Sequence, residues 1–257
     1  MDAEGRGLIV AGYHKYLELD QLLSLQRPRT EHTATELAFI IVHQVSELWF
    51  KLIIDDIRST IQALCEHDAG AAMRRLSRIH EVEHLLVDQF VIIDQLPLGG
   101  FGALRPALGT ASAAESQQFA VIERLSSPPP SLSPATSRPV APTPVAQDLW
   151  TALCLYVGGD GYDMPTENTE EARALRHKAL LDIYRQCGQT SALCEALLDH
   201  DQSFCLWRQR HALTVARQIG DVPGTGGTSG LAYLEARSSR RFFPELWSVR
   251  AELGSPG

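Results

Sequence analysis

Thr33-Ala34-Thr35-Glu36 has the spacing of a capping box and opens onto a run whose apolar residues recur at helical intervals. That spacing predicts one long helix from Thr33 to about Cys65. A chain organised around such an element must bury it against other helices or against a sheet. A second helix reads from Ala71 to about Leu96, where Pro97 and Gly99-Gly100 end it. Two more read over 169–188 and 191–220, the last with a break expected near its start. Strand-like alternation is nearly absent, so the expected class is all-α.

At 257 residues the chain is long enough to bury a core with room for a cofactor, in one large domain or two small ones. A formal net charge of -8 argues against a nucleic-acid partner, and Arg237-Ser238-Ser239-Arg240-Arg241 is too short for a binding tail. The five cysteines are scattered and never spaced Cys-x-x-Cys, which fits reduced thiols in cytoplasm. The N-terminus is acidic where a secretory signal is basic, and no apolar run is expected to span a bilayer. The expectation is a soluble, intracellular protein with no membrane partner. Residues 128–144 hold seven of the fourteen prolines, so a loop is expected at about 126–147.

Several residues invite chemistry, each with a plainer alternative. Phe39 and His43 stand four apart in an apolar helix and share a face. An aromatic wall beside an imidazole can receive a flat heteroaromatic ring bearing one N–H, although a lone histidine on such a helix is more often a satisfied core residue. His211 lies in a helix that Gly220 ends. A neutral imidazole there is a good axial ligand for heme iron, while most helical histidines bind no metal. Residues 224–230 (GTGGTSG) have Ser229 where a dinucleotide fingerprint needs Gly and no Lys for a phosphate loop. The stretch is a permissive turn, or a site where the Thr225 hydroxyl and backbone N–H groups meet an amino acid's charged ends. The Arg105 guanidinium suits a carboxylate, or is a surface charge. His80-Glu81-Val82-Glu83-His84 has the form of a zinc-hydrolase helix, but the following residues supply no third ligand, and a charged solvent-facing stripe is the alternative.

Residues 13–25 (YHKYLELDQLLSL), 39–51 (FIIVHQVSELWFK), 207–230 and 242–250 (FFPELWSVR), in that order, resemble the tryptophan 2,3-dioxygenase family. The resemblance covers both ends of the chain and thins in the middle, and because it spans the proline-rich stretch it favours a single all-α domain over 1–257. It implies a b-type heme, ferrous for activity, with His211 as axial ligand and O2 on the opposite face. Phe39 and His43 would position the indole, and Arg105 and Thr225 would anchor the amino-acid end. Phe101 falls where the family usually has Tyr, and Ala113, Ala114 and Glu115 replace a Gly-Phe-Gln run. The resemblance also implies a homotetramer in which Tyr13 and Tyr16 reach a neighbour's substrate site. The expected reaction is oxygenation of the indole ring of L-tryptophan or a close derivative, by 2,3-dioxygenation to N-formylkynurenine. The alternatives are a monooxygenase of the same family giving a hydroxyindole or oxindole from a substituted tryptophan such as the β-methyl one, and a heme-binding sensor without turnover.

Overall fold

In a computed structural model of the chain, residues 12–97, 99–109, 116–127, 146–224 and 227–254 are described. They hold thirteen helices and no strand, so the all-α expectation holds over them. The Pro-rich expectation falls almost wholly on residues outside this set, as do Thr225, Ala113, Ala114 and Glu115.

The long helix is present as α3, Thr33–Cys65, between the short N-terminal turns α1 (Tyr13–Tyr16) and α2 (Leu19–Leu22) and α4 (Ala69–Asp88). Its start is not the capping box that the spacing predicts. His32 is the N-cap without a side-chain bond, and Glu36 instead accepts the Arg29 and Thr30 amides at 2.8 and 2.7 Å and the Thr30 hydroxyl at 2.8 Å. The loop supplies more donors than the Thr33 amide would, so it captures the carboxylate. After α3 a short connection turns the chain back, with Asp68 capping α4 by accepting the Ala71 amide at 2.8 Å.

The second helix stops earlier than expected. α4 ends at Asp88 and a separate turn, α5 (Phe90–Asp94), follows. Gln89 marks the break, and its Nε2 donates to Ser46 Oγ on α3 at 2.8 Å. Redirecting the chain there turns Phe90 and Ile93 inward, and both are buried. Next come α6 (Gly100–Leu108), α7 (Gln117–Ser126), α8 (Leu149–Gly159) and α9 (Glu170–Gln186). Then α10 runs unbroken over Gln189–Ile219, against the break expected near its start, and α11 (Leu231–Ser238), α12 (Pro244–Ser248) and α13 (Arg250–Leu253) close the chain.

α4 packs against both α3 and α10, and α7 and α8 cover α3. Ile53, Ile57 and Leu64 of α3, Leu76, Ile79 and Leu86 of α4, and Leu193, Leu197 and Phe204 of α10 are fully or nearly fully buried. Their spacings of three, four and seven are one helical stripe each, and merging three stripes makes a single apolar seam. Most polar groups inside it are paired, Glu83 Oε2 being an exception. His200 of α10 meets Glu83 Oε1 of α4 through Nδ1 at 2.7 Å and Ser126 Oγ of α7 through Nε2 at 2.9 Å. Asp201 accepts the Phe242 and Phe243 amides and the Trp247 indole N–H, pinning the C-terminal segment to α10.

One sequence expectation needs correction. α3 is long and apolar enough, by length and composition, to cross a membrane. It also carries Asp56, fully buried and paired with Arg75 and Arg78 of α4, and such a pair belongs to a helix packed in protein.

Candidate active site

Beyond the point where α4 ends, α3 and α10 continue and a cavity of about 650 Å3 lies between them. That volume falls in the range of pockets for organic ligands, about 300–1,000 Å3. Phe39 and His43 of α3, Phe101 and Arg105 of α6, and Trp207 and His211 of α10 all line it, so separate stretches of sequence converge on one space. α5 contributes Phe90 and Ile93, α7 contributes Phe119 and Glu123, and α11 contributes Tyr233 and Arg237.

On the α3 wall the Phe39 and His43 ring centroids are 4.0 Å apart, and Phe101 is 5.3 Å from Phe39. His43 Nδ1 lies 2.8 Å from the Phe39 carbonyl oxygen. A carbonyl only accepts, so Nδ1 carries the proton and Nε2 of the neutral ring presents a lone pair. Burial holds the His43 pKa below the ordinary imidazole value, although the Phe39 hydrogen bond and the nearby Glu47 charge act against it. Near neutral pH this imidazole is therefore a hydrogen-bond acceptor.

Along α10, Phe204, Trp207 and His211 recur at intervals of three and four, Phe204 in the core and the other two in the cavity wall. Trp207 and Phe90 each stack on the His211 ring, at 5.5 and 5.7 Å between centroids and 29° and 21° between planes. Phe50, Phe119 and Phe204 surround Trp207 in turn, at 5.7, 5.4 and 5.8 Å. Among the described residues neither His211 nitrogen has a hydrogen-bond partner, so packing alone aims the ring. Burial, and secondarily the His43 charge, push its pKa down to about 4. A neutral imidazole with free nitrogens on an apolar wall is a metal ligand in waiting. The Trp207 indole N–H is buried without an acceptor among the described residues.

Where the two walls open, Arg105 Nη2 donates to the Pro223 carbonyl in the segment after α10. That segment closes on itself, with the Gly224 amide donating to Thr228 O at 3.0 Å. Gly230 sits at φ +68°, and a Cβ there would lie 2.1 Å from Val222 O, so no other residue fits. Gly224, Thr228 and Gly230 line the cavity.

The sequence reading missed Phe90, Phe119, Glu123, Tyr233 and Arg237. Spacing could have shown that Trp207 and Arg208 share the His211 stripe, but nothing local says that α5, α7 and α11 meet it. Tyr13 and Tyr16 are 71% and 70% exposed and do not line their own chain's cavity.

The zinc alternative fails on geometry. His80 Nδ1 pairs with Ser203 Oγ at 2.9 Å, Glu81 and His84 are exposed, and Glu83 turns inward to His200. No cluster of three candidate ligands exists among the described residues.

The sequence profile of the tryptophan 2,3-dioxygenase family matches residues 2–127 and 166–253. The chain belongs to that family. Similar proteins named tryptophan 2,3-dioxygenase occur in Anaeromyxobacter sp., 36% identical over 94% of this chain and 96% of the relative, and in Herpetosiphon aurantiacus, 36% identical over 94% and 98%. One from Caulobacter vibrioides is 32% identical over the same shares, 94% and 98%. Membership in the tryptophan 2,3-dioxygenase family agrees with the two histidine-bearing walls, and the profile skips the proline-rich stretch as the resemblance did. α8 lies in the skipped part yet buries Leu149, Leu153 and Val157 completely against the core.

Proposed function

We propose that this chain is a heme-dependent dioxygenase that inserts both atoms of O2 across the indole C2–C3 bond of L-tryptophan, giving N-formylkynurenine. The observation that carries the reading is one aromatic cavity holding two neutral histidines on different helices, His43 with an acceptor nitrogen and His211 with free ones. The residues suit a b-type heme: His211 offers a neutral donor, its flanking rings form a flat apolar seat, and the volume is adequate. Bound heme supplies the iron that activates dioxygen.

The protein's own side chains do the rest. His211 holds the iron. His43 accepts the indole N–H at Nε2 and so sets the ring's orientation, while Phe39 and Phe101 cover its faces and exclude water. Arg105 binds the substrate carboxylate. Pro223 O offers its guanidinium only a neutral acceptor, so a carboxylate competes for it well. Thr225 retains the amino-acid-anchoring role that the resemblance implies. Incubating the ferrous protein with tryptophan and 18O2 tests the reaction. Ring-opened product carrying two labelled atoms is expected, and a closed-ring product carrying one overturns the dioxygenase reading.

We further read residues 1–257 as one domain acting as a homotetramer in the cytoplasm, with Tyr13 and Tyr16 completing a neighbour's site. Tyr13, Tyr16, Leu23 and Leu25 are mostly exposed, and Ile41 and Leu48 on the first half of α3 are about half exposed. A second copy covers such surface, and the buried, ion-paired Asp56 speaks against a bilayer doing so. Sedimentation showing a fully active monomer refutes the assembly.

A further inference from the structure

The cavity wall beside His211 carries unbalanced charge. Glu123 is shared among three arginines: Oε1 accepts from Arg208 Nη2 at 2.9 Å, Oε2 accepts from Arg237 Nη2, and Arg240 Nη1 stands 3.7 Å from Oε2. Glu123, Arg208 and Arg237 all line the cavity. The Arg208 side chain is only 4% exposed, and its Nε has no acceptor among the described residues. Glu123 matches the buried Arg208, whose Nη1 also donates to Arg240 O at 2.9 Å, while Arg237 and Arg240 are 32% and 43% exposed, so the cluster's two surplus positive charges stand at the open side of the wall where an anionic guest can meet them. An amino-acid substrate cannot serve, because its ammonium and carboxylate cancel and Arg105 awaits the latter. Ferrous heme fits in both sign and amount. The ring's two negative charges cancel those of the iron, and two propionates remain.

We propose that Arg208 and Arg237, bridged by Glu123 with Arg240 behind them, hold the propionate edge of the porphyrin and thereby fix which way round it lies on His211. This rests on the heme reading and adds to it a second, electrostatic point of attachment. Arg208 stands one helical turn before His211 on α10, so one rigid helix presents both the iron ligand and the acid-binding group.

The test titrates apoprotein, under reducing conditions, with heme and with heme dimethyl ester, followed by absorbance. Wild type is expected to bind the diacid at least about tenfold more tightly than the diester, about 1.4 kcal/mol. Arg237→Gln should weaken diacid binding by a similar factor and leave diester binding unchanged, with Arg237→Lys restoring part of the loss. Equal binding of diacid and diester by wild type overturns the proposal. So does an Arg237→Gln protein that binds both porphyrins normally and shows only a raised KM for tryptophan, since the cluster then serves the substrate. If Arg237→Gln binds neither because it misfolds, the wild-type comparison of acid with ester still decides. Failure of wild type to bind either porphyrin overturns the heme reading itself.

Discussion

The two long helices each divide into halves with different tasks. In the second half of α3, Ile53, Ile57 and Leu64 are wholly buried, while in the first half Ile41 and Leu48 are 42% and 51% exposed and Phe39 and His43 face the cavity. α10 divides the same way in reverse order, with Leu193, Leu197 and Phe204 in the core and His211 in the cavity wall. One end of the bundle is held by burial of apolar stripes, and the other by a few directed contacts around a space. Changes at the core end should register as stability, and changes at the cavity end as ligand binding or turnover at nearly constant stability.

The sharpest break of that division is His211→Ala, which should lose heme and all oxygenation while the apoprotein keeps its melting behaviour. A variant retaining the wild-type ferrous spectrum and activity would falsify the assignment of His211 as ligand. Two turns earlier on the same face, Phe204→Ala should do the opposite. It removes a fully buried ring and should cost about 3–5 kcal/mol in denaturant unfolding, whatever its effect on turnover.

Smaller effects separate the groups within the cavity. Arg105→Ala should chiefly raise KM for tryptophan, by roughly 2–5 kcal/mol if the carboxylate pair is desolvated, with kcat little changed. An equal fall in kcat at constant KM would show that Arg105 acts on the chemistry instead. His43→Ala should lower kcat, by about tenfold to a hundredfold, more than it weakens binding. Indole-N-methylated tryptophan should be a poor substrate for wild type and suffer little further from that variant. Finally, His43 works as a neutral acceptor and burial holds its pKa below 6.5. Turnover should therefore persist below pH 6.5 and fail only as pH drops through that lowered value; in the His43→Ala protein this acid limb should vanish. Loss of activity already well above pH 6.5 in wild type would contradict the neutral, buried state.

Much of this was legible locally. The extent of α3 and the shared face of Phe39 and His43 follow from backbone geometry within a few residues, which neighbouring side chains set. Phe101 was visible as a departure from the family, and its contact with Phe39 makes that corner of the cavity apolar. The failures share a cause. The capping box lost to a loop that put three donors on Glu36, and the second helix broke at Gln89 because its amide found Ser46, forty-three residues away. Both were competitions between a local rule and a partner from elsewhere in the chain.

The sequence alone determined that the chain is helical, where its longest helices run, and which residues share a face, because hydrogen bonds between neighbouring turns fix those relations. Only the tertiary structure decided that α5, α7 and α11 would join α3 and α10 around one cavity, and that Glu123 would collect Arg208, Arg237 and Arg240. Arg208 and Arg237 reach Glu123 across 85 and 114 residues of sequence. No helical period connects such positions; they meet because burying the apolar stripes leaves one arrangement of the helices, and the charges must find partners within it.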